Sequence, residues 1–347
     1  MTTSAATATD ALRAALARLL RSRELALGWL LNHVGSDGKP AGAELGNGWS
    51  RLPWTFALSG NTGAASAVLA WADREALRPD GQFRPGPAYG SGRFGAYPLG
   101  HFAMGAWLSE RYDIGRRVLG ALRSMQDKST GGFPIDPPGG TAAHICDLLP
   151  TAQAGAAALL AGREDIVEGV YRWIVELFAS QAELPRRLFN GRAGAALVTE
   201  VPSGLEWMLV TDFRKPRQSF YHPGIAAVFL AGYAMQRADA AALSLGHRFL
   251  ELNIQGVPEQ FNDGESVQIC KFGWGAAAMQ IADPTADYRT HLLRMSDWFI
   301  EHQATDGSWR PSGFLSPDPK VHEKMTKTAE HAMEITAMIA ALAQLAV

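Results

Sequence analysis

The sequence predicts an all-α fold in which six helical hairpins close into a ring, an architecture called an (α/α)6 barrel or toroid. Two observations predict it. An apolar helical stretch followed by a second, amphipathic helix recurs along the 347 residues, and several of these pairs end in a turn where glycine precedes an aromatic residue. In such a ring the inner helices all point one end at a central cavity, where we expect the chemistry to lie.

The sequence predicts five helix pairs, with one unpaired helix before them and one after them. The first, residues 11–34, has leucines at helical spacing and Asp10 as a candidate N-cap. It can serve as the outer partner of the last helix, residues 327–345, which completes six inner and six outer helices. We therefore expect one domain over 11–347, after a disordered tail at 1–10. The pairs between the two single helices are predicted at 50–59 and 62–77, 97–112 and 113–126, 143–161 and 163–180, 220–236 and 238–253, and 266–282 and 285–302.

One segment, residues 182–219, departs from the helical pattern. It carries β-prone runs at 196–201 and 206–211 around a Pro-Ser-Gly turn. This pattern predicts a small β-hairpin insertion, which could cap the cavity. The glycine-rich run at 86–95 has no phosphate-binding pattern and predicts a loop that could act as a lid.

Composition and charge exclude several classes of function. The chain is 47% hydrophobic and carries 32 basic against 34 acidic residues, with a net charge of −2. That balance supplies no electrostatic footprint for nucleic acid or an anionic membrane. No apolar run is long enough to span a bilayer, and residues 1–10 do not resemble a secretory signal. Only two cysteines occur, so we expect reduced thiols and a cytoplasmic protein. The oligomeric state is not predicted.

The turn at residues 303–309 carries a resemblance to a known repeat. Its Gln303 and Trp309, with Asp306 and Gly307 between them, resemble the QW repeat of squalene–hopene-type terpene cyclases, and residues 126–133 match it in part. The resemblance implies a Gln that caps the next helix, and membership of the α/α-toroid group. That group includes triterpene cyclases, protein prenyltransferase β-subunits, polysaccharide lyases and glycoside hydrolases. The DxDD and DDxxD motifs of terpene cyclases and synthases are absent.

A second, partial resemblance concerns the zinc site of protein prenyltransferases. Cys270 stands four residues before Trp274, as in that family, and His331 opens the last inner helix. Gln268 occupies the position of the family's zinc-binding Asp, and an amide is a poor zinc ligand. We therefore expect no metal and no cofactor.

The starts of the inner helices supply the candidate site residues, because a ring makes these positions neighbours. His144 and Asp147 are three residues apart and would share a helical face, where a carboxylate can orient an imidazole. Alternatively, Asp147 caps a helix N-terminus. The two cysteines are candidate nucleophiles or acid–base groups, or else buried core residues. The candidate catalytic residues are His144, Cys146, Asp147, His222, Cys270, Glu330 and His331. The candidate substrate-binding residues are Trp49, Arg51, Trp54, Tyr97, His101, Tyr221, Lys271 and Trp274.

Three functions fit this set of residues. The first is an enzyme without a cofactor that cyclises, isomerises or eliminates on a largely apolar terpenoid- or polyketide-like small molecule. The second is a carbohydrate-active toroid, a polysaccharide lyase or unsaturated-uronide hydrolase, in which Arg51, Arg93 and Lys271 meet a uronate carboxylate. The third is a non-enzymatic helical-repeat binding module. An apolar substrate predicts a deep cavity of aliphatic and aromatic side chains, whereas a sugar polymer predicts an open cleft rimmed by Trp and Arg.

Overall fold

The computed structural model describes residues 2–86 and 92–346, and within them the chain is mostly helical. Two of the helices, α8 and α11, are single short turns. The helices are α1 (Thr2–Asn32), α2 (Leu52–Leu58), α3 (Thr62–Glu75), α4 (Ala96–Leu108), α5 (Tyr112–Met125), α6 (Leu148–Leu160), α7 (Glu164–Ala179), α8 (Glu206–Leu209), α9 (Tyr221–Arg237), α10 (Ala240–Ile254), α11 (Glu259–Asn262), α12 (Cys270–Ala282), α13 (Arg289–Glu301) and α14 (Val321–Leu345).

Six hairpins close into the predicted ring. The inner helices α2, α4, α6, α9, α12 and α14 contact one another in this order, and α14 contacts α2. The outer helices α3, α5, α7, α10, α13 and α1 each pack on the inner helix of the same hairpin. The N-terminal helix α1 is therefore the outer partner of α14, as the helix count predicted, and the (α/α)6 fold is confirmed.

Burial separates the two layers of the ring. The outer helix α5 buries one stripe, including Ile114, Val118 and Leu122, whereas nearly every residue of the inner helix α6 is buried. Inner helices also approach closely. A Cβ on Gly224 of α9 would lie 2.1 Å from the carbonyl oxygen of Lys271, so only glycine permits this contact. The contact holds the first turn of α12 against the first turn of α9.

A small β insertion follows the third hairpin, as predicted. Strand β1 pairs with β3 and β3 with β4, while β2 pairs with β5, all antiparallel. The second predicted strand, 206–211, is wrong in its first part, which forms α8. The Glu206 carboxylate there accepts a hydrogen bond from the Gly204 N–H and turns the chain. The strands are β1 (Ile145–Asp147), β2 (Arg187–Phe189), β3 (Gly191–Ala193), β4 (Ala196–Leu197) and β5 (Val210–Asp212).

Three helix starts differ from the prediction by at least five residues. Helix α1 begins at Thr2, within the segment predicted as a disordered tail. Helix α14 begins at Val321 rather than at 327, because the Glu323 carboxylate accepts a hydrogen bond from the Lys320 N–H. Helix α6 begins at Leu148 rather than at 143, because the preceding residues pair with β3 as strand β1.

Two further expectations concern the membrane and the lid. Across the described residues, none of the helices combines the length and the apolar character that a bilayer crossing needs. Much of the predicted lid loop, at positions 87–91, lies outside the described residues.

Candidate functional site

Glu330 on α14 lies between three cations at the mouth of the ring. Its side chain is 3% exposed. It forms ion pairs with Lys271 of α12, with Lys327 one turn earlier on α14 at 2.7 Å, and with Arg51 at 3.5 Å. Arg51 ends a short 3₁₀ turn, Gly48–Arg51, that leads into α2. Three hairpins therefore contribute to one charge cluster, with Arg51 just before α2, Lys271 in the first turn of α12 and Glu330 in the third turn of α14.

These charges set each other's protonation state. Burial by itself would raise the pKa of Glu330, but the charges of Arg51, Lys271 and Lys327 outweigh it and hold this pKa well below its usual range. Burial would lower the pKa of Lys271, but Glu330 raises it well above the ordinary value. The cluster is therefore ionised at neutral pH.

Arg51 connects this cluster to the start of α4. Its guanidinium donates to Tyr97 Oη at 2.9 Å, to His101 Nε2 at 3.1 Å, and to the carbonyl of Thr326 at 3.2 Å. Burial, and then the charge of Arg51, lower the pKa of His101 well below its ordinary value. The imidazole is therefore neutral at pH 7, as it must be to accept the hydrogen bond.

Two tyrosines, Tyr97 and Tyr221, lie beside this charge cluster and keep their phenolic protons. Tyr97 Oη also donates to Glu330 Oε1 at 3.4 Å. Burial raises the pKa of both Tyr97 and Tyr221, so both phenols keep their protons at neutral pH. The Lys271 ammonium lies 5.6 Å from the centre of the Tyr221 ring.

A second buried acid, Glu334, lies one turn beyond Glu330 on α14. His331 Nδ1 lies 3.0 Å from Glu334 Oε2. Among the described residues, Cys270, His331 and Glu334 place potential metal ligands within 4.8 Å of one another. The Lys271 ammonium, however, lies 3.9 Å from Glu334 Oε1 and already supplies a counter-charge. A divalent cation there would be repelled by this ammonium.

Asp147 pairs with a different histidine from the one predicted. His144 is exposed and outside the ring mouth, because β1 replaces the helix on which the two residues would have shared a face. Asp147 caps α6 by accepting from the Leu149 N–H at 2.8 Å, which was the alternative prediction. Its Oδ1 also lies 3.8 Å from Nε2 of His222, whose Nδ1 donates to the carbonyl of Ser219.

Two adjoining cavities open above the charge cluster. The first cavity, about 240 Å³, includes Arg51, Lys271, Lys327 and Glu330 in its lining, together with both tyrosines and Trp207. The second cavity, about 340 Å³, shares Arg51, Tyr97 and Thr326 with the first and extends to His101 and Arg93. The first lining thus carries three cations and one carboxylate among the described residues.

Several predicted site residues do not reach these cavities. Trp49 packs against other aromatic rings of the core, and Trp54 and Trp274 pack against each other. Both cysteines are buried; burial, and then the charge of Asp127, raise the pKa of Cys146 to about 12, and burial also raises that of Cys270. Neither thiol is activated as a nucleophile, because neither forms a thiolate near pH 7.

Three residues that line or support the site were not among the predicted set. Lys327 and Glu334 lie one turn either side of Glu330 and His331 on α14, so helical spacing from Glu330 could have found Lys327. Trp207 lies in a segment predicted as a strand, and no sequence pattern indicated that its side chain faces the ring.

Comparisons with known proteins identify the fold. No protein-family model matches the chain, and neither does any curated protein. Among solved structures, a variant of the type II terpene cyclase MstE from Scytonema, in complex with its substrate geranylgeranyl dihydroxybenzoate, is 14% identical with a TM-score of 0.60, covering 95% of this chain and 99% of that one. The GH76A α-1,6-mannanase from Salegentibacter is 10% identical with a TM-score of 0.63, covering 92% and 99%. The α/α-toroid resemblance is therefore confirmed at the level of fold.

Proposed function

We propose that this protein is an enzyme that does acid–base chemistry on an acidic sugar, a uronide, in the first cavity. The observation that carries the proposal is the charge of the lining, which has three cations against one carboxylate. Because Lys271 and Arg51 stay protonated, they can bind a substrate carboxylate. The same surplus of positive charge would oppose the carbocations of terpene cyclisation.

The rim of the first cavity also suits a sugar. Trp207 is 45% exposed there and lies near Tyr221, with ring centres 6.5 Å apart. An exposed indole beside polar groups offers an apolar face to a sugar ring while leaving its hydroxyls in contact with water. The exposed Trp at the rim agrees with the cleft that a carbohydrate substrate predicts, whereas the arginine of this cavity, Arg51, is buried.

The surroundings of Tyr97 favour a reaction that begins with protonation of the substrate. Arg51 donates to Tyr97 Oη and the Lys271 ammonium lies 5.8 Å from the ring centre, so both cations would stabilise the phenolate that proton transfer leaves. Tyr97, Tyr221 and Lys271 all hold protons at neutral pH, whereas Glu330 is too acidic to serve as a strong base. Of the two carbohydrate reactions considered, hydrolysis of an unsaturated uronide begins with a proton donor, which protonates C4 of the substrate's C4=C5 double bond while water adds to C5. The added water gives up one proton, which returns to the donor, and the hemiketal so formed opens and releases the sugar attached at C1. A lyase reaction would instead need a base for the carbon acid. We therefore favour the hydrolase, with Tyr97 as the proton donor.

A Tyr97→Phe variant tests this assignment. We expect kcat on an unsaturated uronide disaccharide to fall by about 10²-fold or more, because the variant keeps the ring but loses the acid. The loss of ultraviolet absorbance of the substrate double bond reports the rate. Tyr112→Phe is the matched control, since Tyr112 is 41% exposed on α5. Full turnover by Tyr97→Phe would show that Tyr97 is not the proton donor. A wild-type protein inactive on all unsaturated uronides would rule out the proposed substrate.

Cyclisation of an apolar substrate remains the second candidate, because of a third cavity. This cavity, about 320 Å³, is lined mainly by apolar residues such as Phe83, Leu99 and Ile135, and it meets the second cavity at Gly92. Incubation with geranylgeranyl dihydroxybenzoate tests this candidate. A cyclic product from it, with no turnover of uronides, would favour cyclisation.

A further inference from the structure

We infer that the substrate spans both adjoining cavities, with one acidic sugar unit in each and the linkage between them over Arg51 and Tyr97. This inference rests on the proposed function and specifies it, because it names a substrate of at least two uronide units. The second cavity becomes a binding subsite in its own right.

The two cavities share one wall. Arg51, Tyr97 and Thr326 line both, so a ligand that leaves the first cavity passes over these side chains into the second. The volumes are about 240 and 340 Å³. The first alone is smaller than typical ligand pockets of roughly 300–1,000 Å³, whereas the two together fall within that range.

The shared wall contains a polar atom that lacks a partner. Arg51 is only 3% exposed, and its Nε has no hydrogen-bond partner among the described residues, although both other guanidinium nitrogens donate. A buried donor without an acceptor costs free energy. Arg51 therefore has hydrogen-bonding capacity that the protein does not fill, and it lies on the wall that the two subsites share.

The second cavity is suited to a second acidic unit. Its lining includes the guanidinium groups of Arg51 and Arg93 and, among the described residues, no carboxylate. The Arg93 side chain is 42% exposed at the rim, where its Nε donates to Asp136 at 2.8 Å. Neutral His101 and buried Ser50 add polar atoms to the floor. A uronide carboxylate here would face the guanidinium of Arg51 and that of Arg93, which Asp136 also binds.

Filling the second cavity separates the two subsites experimentally. Asn47 lines this cavity and is partly exposed, so Asn47→Trp should occupy it. The matched control is Leu45→Trp in the same loop, because Leu45 is 52% exposed and lines neither cavity. Titration calorimetry with D-galacturonate and with di-D-galacturonate measures binding without any need for turnover.

We expect wild type and Leu45→Trp to bind the disaccharide about tenfold more tightly than the monosaccharide, and Asn47→Trp to lose this difference. Arg93→Gln should also reduce it, and the denaturant midpoint of this variant shows whether the loss of the ion pair with Asp136 affects folding. Equal affinity of wild type for both probes, or an unchanged difference in both Asn47→Trp and Arg93→Gln, would overturn the two-subsite inference alone. If wild type binds neither the monosaccharide nor the disaccharide, the result would instead count against the proposed function.

Discussion

Buried charge at single residues distinguishes the mouth of this ring from its core. Isolated charges inside a protein are costly, and here each has a partner: Glu330 has three cations, and Glu334 has His331 and Lys271. His101 is different, because it is buried and held neutral beside the cation Arg51. His331 is likewise held neutral mainly by burial. These two neutral imidazoles make the stability of the fold depend on pH.

We predict that the free energy of unfolding falls as the pH is lowered from about 7.5 to about 5.5. The pKa values of His101 and His331 are lowered in the folded protein, so the unfolded chain takes up protons first as the pH falls past about 6.5. Stability is therefore fully present above that pH and is lost below it, by at most about 1.4 kcal/mol per pH unit for each histidine.

Denaturant titrations across this pH range check the prediction. His101→Gln should reduce the slope, because it removes one of the buried imidazoles whose pKa is lowered. His144→Gln, at an exposed position, should leave it as in wild type. A slope that is identical in all three proteins would show that His101 does not carry the effect.

At the scale of elements, the hairpins are joined by turns that dock on the next outer helix. Gln126 donates to the carbonyl of Gly131 in its own turn and to that of Ile166 on α7, and Gln303 makes the equivalent bonds to Gly307 and to Ser22 on α1. The QW-like glutamines therefore tie adjacent hairpins, as the resemblance implied. The implied cap of the next helix is wrong, because each amide donates to a carbonyl and Ser22 lies well inside α1. Both glutamines bond to the outer helices rather than at the mouth of the ring.

Glycine is required for two separable reasons, which Gly131 in the first of these turns and Gly139 in the following turn illustrate. Gly131 has a φ of +87°, and a Cβ on it would lie 2.2 Å from the carbonyl oxygen of Gly169 on α7. Gly139 has the same φ, but nothing lies within 4 Å of its Cβ position. The pair thus separates backbone strain from the close approach of the turn to its helix.

We predict that Gly139→Ala lowers the free energy of unfolding by about 1 kcal/mol, the cost of a positive φ in alanine. Gly131→Ala should lower it by about 2–4 kcal/mol, because backbone must also move away. Denaturant midpoints at constant slope measure both. Equal losses would mean that the turn tolerates displacement from α7.

At the scale of the whole molecule, the ring closes through a contact between the two ends of the chain. The N-terminal helix α1 covers α14, the helix that carries Glu330, and Leu19 on the buried side of α1 is fully inaccessible. The adjacent Leu20 is 37% exposed. Closure therefore depends on one apolar face of the first helix.

We predict that Leu19→Ala lowers the free energy of unfolding by about 2–5 kcal/mol, through lost burial and the cavity it leaves. Leu20→Ala should cost less than about 1 kcal/mol, since it makes the same change to helix propensity at an exposed site. Thermal unfolding of the two variants compares them. A similar loss in both would mean that α1 does not seal the ring.

The sequence by itself determined the ring, its six hairpins and the presence of a β insertion, because helix periodicity and glycine turns are local signals. It also named Arg51, Tyr97, Lys271 and Glu330, since inner helix starts must converge in a closed ring. Only the tertiary structure decided that Asp147 meets His222 rather than His144, and that the predicted tryptophans face the core while Trp207 lines the site. Those outcomes depend on strand pairing and side-chain direction between segments far apart in the chain, which no local pattern encodes.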